Sequence, residues 1–161
     1  MVSLTGKWVD RSIDLAVVEK SALVHHSAAD MFKLVYDVGD YQEFLPWCRS
    51  SRMVSEDREG RQICGEIEVA RAGVVQSFIT CNRYVEDESM QIDLQEGPFT
   101  HLHGMWEFTP LRENASKIAL RLEFEFSGKL MTMAFGAVFA HIANSMVDSF
   151  CKRAEEVYGG E

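Results

Sequence analysis

The stretch KLMTMAFGAVFAHIANSMVDSFCKRAEEVY, residues 129–158, decides the fold. Its apolar side chains recur every three to four residues, which predicts a single helix. At a rise of ~1.5 Å per residue, this helix would be about 45 Å long. Up to Asp148 it is apolar on nearly every side, and such a helix is stable in water only when it is enclosed. We therefore expect the rest of the chain to wrap around it.

Two other interpretations of the apolar segments are disfavoured. Residues 130–147 approach the length of a membrane span, but four polar residues interrupt them, Thr132, His141, Asn144 and Ser145. The first residues, MVSLTGKWVDRSID, lack the apolar run that a signal peptide needs. We expect a cytoplasmic protein whose long helix is buried.

Two segments upstream of the helix alternate between apolar and other residues with a period of two, which predicts strands. They are residues 90–94 and 118–126, and in the second Arg121, Glu123 and Glu125 share one face. A strand with one apolar and one charged face is typical of an antiparallel sheet that is solvated on one side. Turn signals at residues 59–60, 72–73, 86–87, 97–98 and 113–114 space the strands as consecutive hairpins.

The N-terminal half predicts one strand followed by two short helices. Residues 17–25 are rich in β-branched and apolar side chains, Ser27 is a suitable N-cap for a helix over residues 28–38, and a second turn over residues 41–45 ends at Pro46. Residues 1–13 show no periodicity and are expected to form a loose extension, whereas residues 14–161 form one domain. The predicted fold is α+β: a curved antiparallel sheet of six or seven strands around the C-terminal helix.

Charge and cysteine content limit the partners of this domain. The net charge of -9 opposes binding to polyanions, so we expect no DNA partner. Cys48, Cys64, Cys81 and Cys151 form no C-x-x-C pair, which argues against a zinc site and a dense disulfide framework and favours a reducing compartment. His101 and His103 have no third ligand nearby in the sequence, so we assign no metal site.

Three stretches resemble a known family: YQEFLPWC at residues 41–48, EGPFTHLHGMWEFTP at 96–110, and LEFEFSGKLMTMAFGAVF at 122–139, with RAEEVYG at 153–159. They are similar to the coenzyme Q-binding and RatA-like branch of the START-like superfamily, which is also described as the polyketide cyclase/dehydrase type. The resemblance extends over nearly the whole chain. It implies a helix-grip fold with a hydrophobic cavity between the sheet and the long helix.

The resemblance implies a binding module rather than an enzyme. The leading hypothesis is binding of ubiquinone or a related isoprenoid lipid in support of respiration or quinone biosynthesis, with no cofactor required and with peripheral membrane contact for ligand exchange. A second hypothesis is a RatA-type toxin that binds the large ribosomal subunit and blocks subunit association. The negative charge opposes this second role unless Arg49, Arg52, Arg58, Arg61 and Lys33 cluster.

A third hypothesis is a cyclase or dehydratase, which would need an acid/base pair in a polar cavity. The sequence contains no nucleophile motif, and we assign no catalytic residue.

The side chains expected to contact the ligand are apolar. For Trp47 and for the phenylalanines of the long helix, the alternative is that they only pack in the hydrophobic core and contact no ligand. The expected contacts are Phe44, Trp47, Ile92, Leu94, Phe99, Leu102, Trp106, Leu122, Phe124, Met131, Phe135 and Phe139.

Overall fold

The fold combines seven strands, two α-helices and a short 3-10 helix in a computed structural model that describes residues 15–159. The expected N-terminal extension over residues 1–13 lies outside the described residues. In chain order the elements are β1 (Ala16–Val24), α1 (Ala28–Tyr36), a 3-10 helix (Val38–Glu43), β2 (Cys48–Asp57), β3 (Gln62–Arg71), β4 (Val74–Val85), β5 (Ser89–Glu96), β6 (Phe99–Arg112), β7 (Ala115–Phe126) and α2 (Lys129–Tyr158).

All seven strands form one antiparallel sheet, in the order β1-β7-β6-β5-β4-β3-β2. Strands β2 to β7 follow one another as hairpins, and each of the five predicted turns lies between two of them. The first strand instead pairs with the last, with Ala16 opposite Phe124 and Val24 opposite Ser116. The predicted α+β architecture is confirmed.

The two short helices are held by local hydrogen bonds. Ser27 caps α1, since its hydroxyl accepts from the Asp30 backbone N–H at 3.1 Å. The helix ends at Tyr36, two residues earlier than predicted, and the 3-10 helix follows at once. The buried Tyr41 hydroxyl donates to the Val35 carbonyl, which joins the two helices.

The core lies between the concave face of the sheet and one side of α2. Inward-facing residues of β6 and β7 alternate with solvated ones, as the period of two predicts, and they include the buried Trp106 and Phe124. The buried stripe of α2 recurs at helical spacing and consists of Phe135, Phe139, Ile142, Ala143, Val147, Phe150 and Ala154.

The expectation that α2 is enclosed on every side is wrong. The sheet and α1 cover one side only, and at the start of the helix Leu130 and Met133 are 84% and 80% exposed. Ala134 and Ala137 are exposed on the same side. By length and composition α2 would also pass as a membrane span, a test that the core helix of a soluble protein passes as well.

One disulfide joins Cys64 on β3 to Cys81 on β4, while Cys48 and Cys151 are free. The two half-cystines are directly opposite in the strand register and lie on the outer face of the sheet. This bond was not predicted, because a separation of 17 residues brings two cysteines together only once the register is known. It disagrees with the expected reducing compartment, where disulfides are rare.

Candidate functional site

A cavity lies between the concave face of the sheet and the middle of α2. Its free volume is about 70 Å³. Half of the side chains expected to contact a ligand line it, namely Trp47, Ile92, Leu102, Trp106, Leu122 and Phe139. The sequence analysis did not identify the remaining lining residues, Val35, Val38, Tyr41, Ile67, Phe78, Asn82, Met90, Ile142, Ala143 and Met146.

The other six expected contacts lie away from this cavity. Phe44 packs on the Phe150 ring, at 5.2 Å between centroids, with the Arg153 guanidinium over its own ring at 5.0 Å. Leu94 and Met131 are half-buried at the edge of the core. Phe99, Phe124 and Phe135 are buried in a cluster of aromatic rings beside the cavity.

That phenylalanine cluster comprises Phe78, Phe99, Phe124, Phe126, Phe135 and Phe139. Phe99 stacks on Phe126 at 5.0 Å, and Phe124 meets Phe139 edge-on at 4.9 Å. These are favourable aromatic geometries, so the cluster is tightly packed and leaves little room for a ligand. Only Phe78 and Phe139 of the cluster also line the cavity.

Two fully buried polar atoms of the cavity lining have no hydrogen-bond partner among the described residues. They are the indole Nε1 of Trp47 and the amide oxygen Oδ1 of Asn82, whose residues are only 3% and 7% exposed. The amide nitrogen of Asn82 contacts the Met90 sulfur at 3.7 Å. Buried polar groups are nearly always hydrogen-bonded, so these two unpartnered atoms are an unusual feature of the core.

Tyr41 is the one ionisable residue in the described lining. Burial raises the pKa of its phenol above the ordinary value, with a smaller contribution from Asp37. Its proton is engaged with the Val35 carbonyl. The lining therefore offers binding surface and hydrogen-bonding groups, but no acid/base pair.

Gly104 on β6 permits a close approach between strands. A Cβ at this position would lie 2.7 Å from the Leu122 Cδ1 atom and 3.1 Å from the Arg121 carbonyl oxygen. The missing side chain thus makes room for Leu122 of the neighbouring strand, and Leu122 in turn lines the cavity.

His101 and His103 lie on the outer face of the sheet, as the inward position of Leu102 predicts. Each ring contacts a carboxylate through one nitrogen. The Nε2 atom of His101 lies 3.2 Å from Oε1 of Glu123, and the Nδ1 atom of His103 lies 2.7 Å from Oδ1 of Asp93. Burial alone would raise the pKa of Asp93, but hydrogen bonds from Gln91 and His103 hold it below the usual range. Within the described residues, no three His, Cys, Asp or Glu side chains are grouped to hold a metal.

The basic residues that ribosomal RNA would need are mostly neutralised by neighbours. Arg49 forms a two-pronged ion pair with Glu68, at 2.9 and 2.8 Å, and this contact holds the pKa of Glu68 below its usual range. The other pairs are Arg52 with Glu66, Arg58 with Glu56 and Lys33 with Asp37. Four of the five expected contributors to a basic cluster are therefore paired with acids.

A sheet that grips one long helix defines the START-like helix-grip class. The chain superimposes on an aromatase/cyclase from a Streptomyces species with a TM-score of 0.75 at 15% identity, covering 91% of this chain and 98% of that structure. It matches an 18 kDa protein from Caulobacter crescentus with a TM-score of 0.69 at 25% identity, covering 90% and 99%. At such identity the cyclase likeness supports the fold alone.

The chain belongs to the polyketide cyclase/dehydrase and lipid transport family, whose model matches residues 24–151. A ribosome association toxin RatA of Vibrio cholerae is 46% identical over 88% of this chain and 97% of its own length. The toxin of the same name from Pseudomonas aeruginosa is 42% identical with the same coverage. A mitochondrial coenzyme Q-binding protein of Dictyostelium discoideum is 26% identical over 80% of this chain and 64% of its own length.

Proposed function

We propose that this protein associates with the ribosome and acts on the large subunit so that subunit joining is blocked. The observation that carries the proposal is the 46% identity, over nearly the full length of both chains, to a relative named a ribosome association toxin. The relative named for coenzyme Q binding is more distant, at 26%. These identities favour the ribosomal role over quinone binding, which was the leading hypothesis from the sequence.

The contact surface we propose is the apolar start of α2, here called the α2 patch: Leu130, Met133, Ala134 and Ala137. A basic contact is disfavoured because the arginines of β2 and Lys33 already have acidic partners. Leu130 and Met133 are one turn apart and more than three-quarters exposed. Exposed apolar side chains grouped in this way are typical of interaction sites.

The test combines overproduction in bacterial cells with sucrose-gradient profiles of their ribosomes. The native protein is expected to raise free subunits at the expense of joined ribosomes, and Leu130→Ser with Met133→Ser should abolish this effect. Leu23→Ser, which changes another exposed leucine on β1, serves as the matched control and should act like the native protein. An unchanged subunit ratio with the native protein, or full activity of the double variant, contradicts the proposal.

Salt dependence provides a second test of the same contact. Because most of the candidate basic residues are paired, we expect few phosphate contacts and a shallow dependence of affinity on salt. Between 50 and 200 mM salt, affinity for purified large subunits should fall by less than about 20-fold, whereas six or more phosphate contacts would cost roughly 10³-fold. A loss of the larger size would point to RNA contacts instead of the α2 patch.

A second candidate function, binding of an apolar ligand in the cavity, rests on the chemistry of the lining. Apart from Tyr41, Trp47, Asn82 and Trp106, the lining side chains carry no nitrogen or oxygen atom. The Tyr41 hydroxyl has a hydrogen-bond partner, whereas the fully buried polar atoms of Trp47 and Asn82 have none among the described residues. The lack of an acid/base pair in the described lining favours binding over cyclase chemistry. Ubiquinone or a related isoprenoid remains the specific ligand of this proposal.

Such a ligand requires the cavity to open. Its volume of about 70 Å³ is small beside the ~300–1,000 Å³ of ordinary ligand pockets. Met90 and Met146 supply flexible side chains that can adapt to a larger occupant.

Solvent extraction of purified protein followed by mass spectrometry tests this second function. The native protein should carry an isoprenoid lipid or take up added ubiquinone, while Ala143→Leu, which fills the cavity from α2, should do neither. Ala134→Leu makes the same change on the exposed side of α2 and should bind like the native protein. Native protein that carries no isoprenoid lipid and binds no added ubiquinone would contradict this second function.

A further inference from the structure

The unpartnered atoms of Trp47 and Asn82 define what the cavity can recognise. Trp47 lies between the 3-10 helix and β2, and Asn82 lies on β4, yet both side chains line the same cavity. Both residues are more than nine-tenths buried. Burying a polar atom without a partner is unfavourable, so a ligand that supplies the missing partners gains affinity.

The two atoms have complementary roles. The indole N–H of Trp47 can only donate a hydrogen bond, and the Oδ1 atom of Asn82 can only accept one. The amide nitrogen of Asn82 is turned toward the Met90 sulfur, at 3.7 Å. A ligand that satisfies both atoms must therefore accept from Trp47 and donate to Asn82. A hydroxyl group does both, whereas a carbonyl oxygen accepts only.

We propose that the cavity selects an apolar molecule whose head carries a hydroxyl group, such as a phenol or an alcohol, by way of Trp47 and Asn82. This inference rests on the proposed binding of an apolar ligand and adds the chemistry of its head. For an isoprenoid quinone it predicts preference for the reduced form, since the quinol has hydroxyl groups and the quinone has only carbonyls. The neighbouring Trp106, Leu122 and Phe139 provide apolar contacts for the rest of the head.

The experiment uses two probes of nearly the same shape, 4-propylphenol and 4-propyltoluene, titrated by calorimetry into the purified full-length protein. Their Kd ratio is measured in the native protein, in Trp47→Phe, in Asn82→Leu and in the double variant. Comparing the ratio between variants removes the different affinities of the two probes for water. Asn144→Leu, a change of an exposed asparagine on α2, is the matched control.

Each lost hydrogen bond should shift the Kd ratio by about fivefold against the phenol, because a neutral hydrogen bond contributes roughly that factor. The double variant should shift it by about 25-fold, and Asn144→Leu should leave it unchanged. Affinity for 4-propyltoluene should be retained or improved in every variant. This result would support the assignment and would show that each variant remains folded and able to bind.

Other outcomes overturn the inference in distinguishable ways. If both probes bind but the ratio is the same in all variants, apolar binding stands and head-group selection fails. If neither probe binds the native protein, the proposed ligand-binding function fails together with the inference. A third probe, 4-propylanisole, accepts but cannot donate, so Asn82→Leu should leave its affinity unchanged or improve it. A loss there would mean that Asn82 donates to the ligand, and it would overturn the preference for a hydroxyl.

Discussion

The phenylalanine cluster and the cavity lie side by side between the sheet and α2, but their packing differs. In the cluster, Phe99 contacts Phe126, Phe135 and Phe139, and the rings fill the space between the two layers. In the cavity, about one turn further along α2, Ala143 and Met146 face Asn82 and Met90 around free space. The difference indicates that the cluster supplies rigidity and that the neighbouring region keeps room for adjustment.

The largest expected effect comes from breaking the cluster. Phe135 is fully buried, so Phe135→Ala should cost about 3–5 kcal/mol of unfolding free energy through lost apolar contact and the hole left behind. Urea unfolding followed by circular dichroism measures this loss. Leu130→Ala, on the exposed side of the same helix, should change stability by less than about 0.5 kcal/mol. A small effect of Phe135→Ala would mean that the cluster is not the rigid part of the core.

An intermediate effect is expected at Gly104, because it lies beside the cavity and not inside the cluster. The Cβ of Gly104→Ala would meet the end of the Leu122 side chain, which can move toward the cavity. We therefore expect a cost of about 1–2 kcal/mol, in the lower part of the range for overpacked cores. The same urea titration measures it, and a loss above about 3 kcal/mol would show that the cavity offers Leu122 no room.

The smallest effect, and the only gain, is expected from Asn82→Leu. Leucine has nearly the same shape as asparagine and removes an amide oxygen that has no partner among the described residues. Replacing an unsatisfied buried group by an apolar one should raise stability by up to about 1 kcal/mol. A clear loss of stability would indicate that Asn82 is well satisfied in the free protein, and the contrast between cluster and cavity would then weaken.

The sequence predicts the fold well because local patterns determine most of it. The apolar repeat of α2 and the period of two in β7 each depend on residues that are close in the chain, and both elements form as expected. The same patterns do not show how far an element extends beyond its covering layer. For this reason the exposure of Leu130 and Met133 was missed.

The site is harder to predict because it depends on register between distant strands. Phe135 and Phe139 are one helical turn apart on the same stripe, yet only Phe139 reaches the cavity. Asn82 could have been recognised from the sequence, since it occupies an inward position of β4 between Thr80 and Tyr84, where an apolar residue is expected. The acidic partners of Arg49 and Arg52 come from β3, and only the pairing of β2 with β3 brings them together.

The pairing of β1 with β7 has a consequence for the synthesis of this protein. Strand β1 finds its sheet partner only when residues 115–126 have been made, and α2 follows directly. Long-range pairings of this kind are slow to form, and until then the apolar face of the growing sheet is uncovered. The nascent chain therefore completes its core only after α2 has been made, and a chain truncated before Lys129 should aggregate instead of folding.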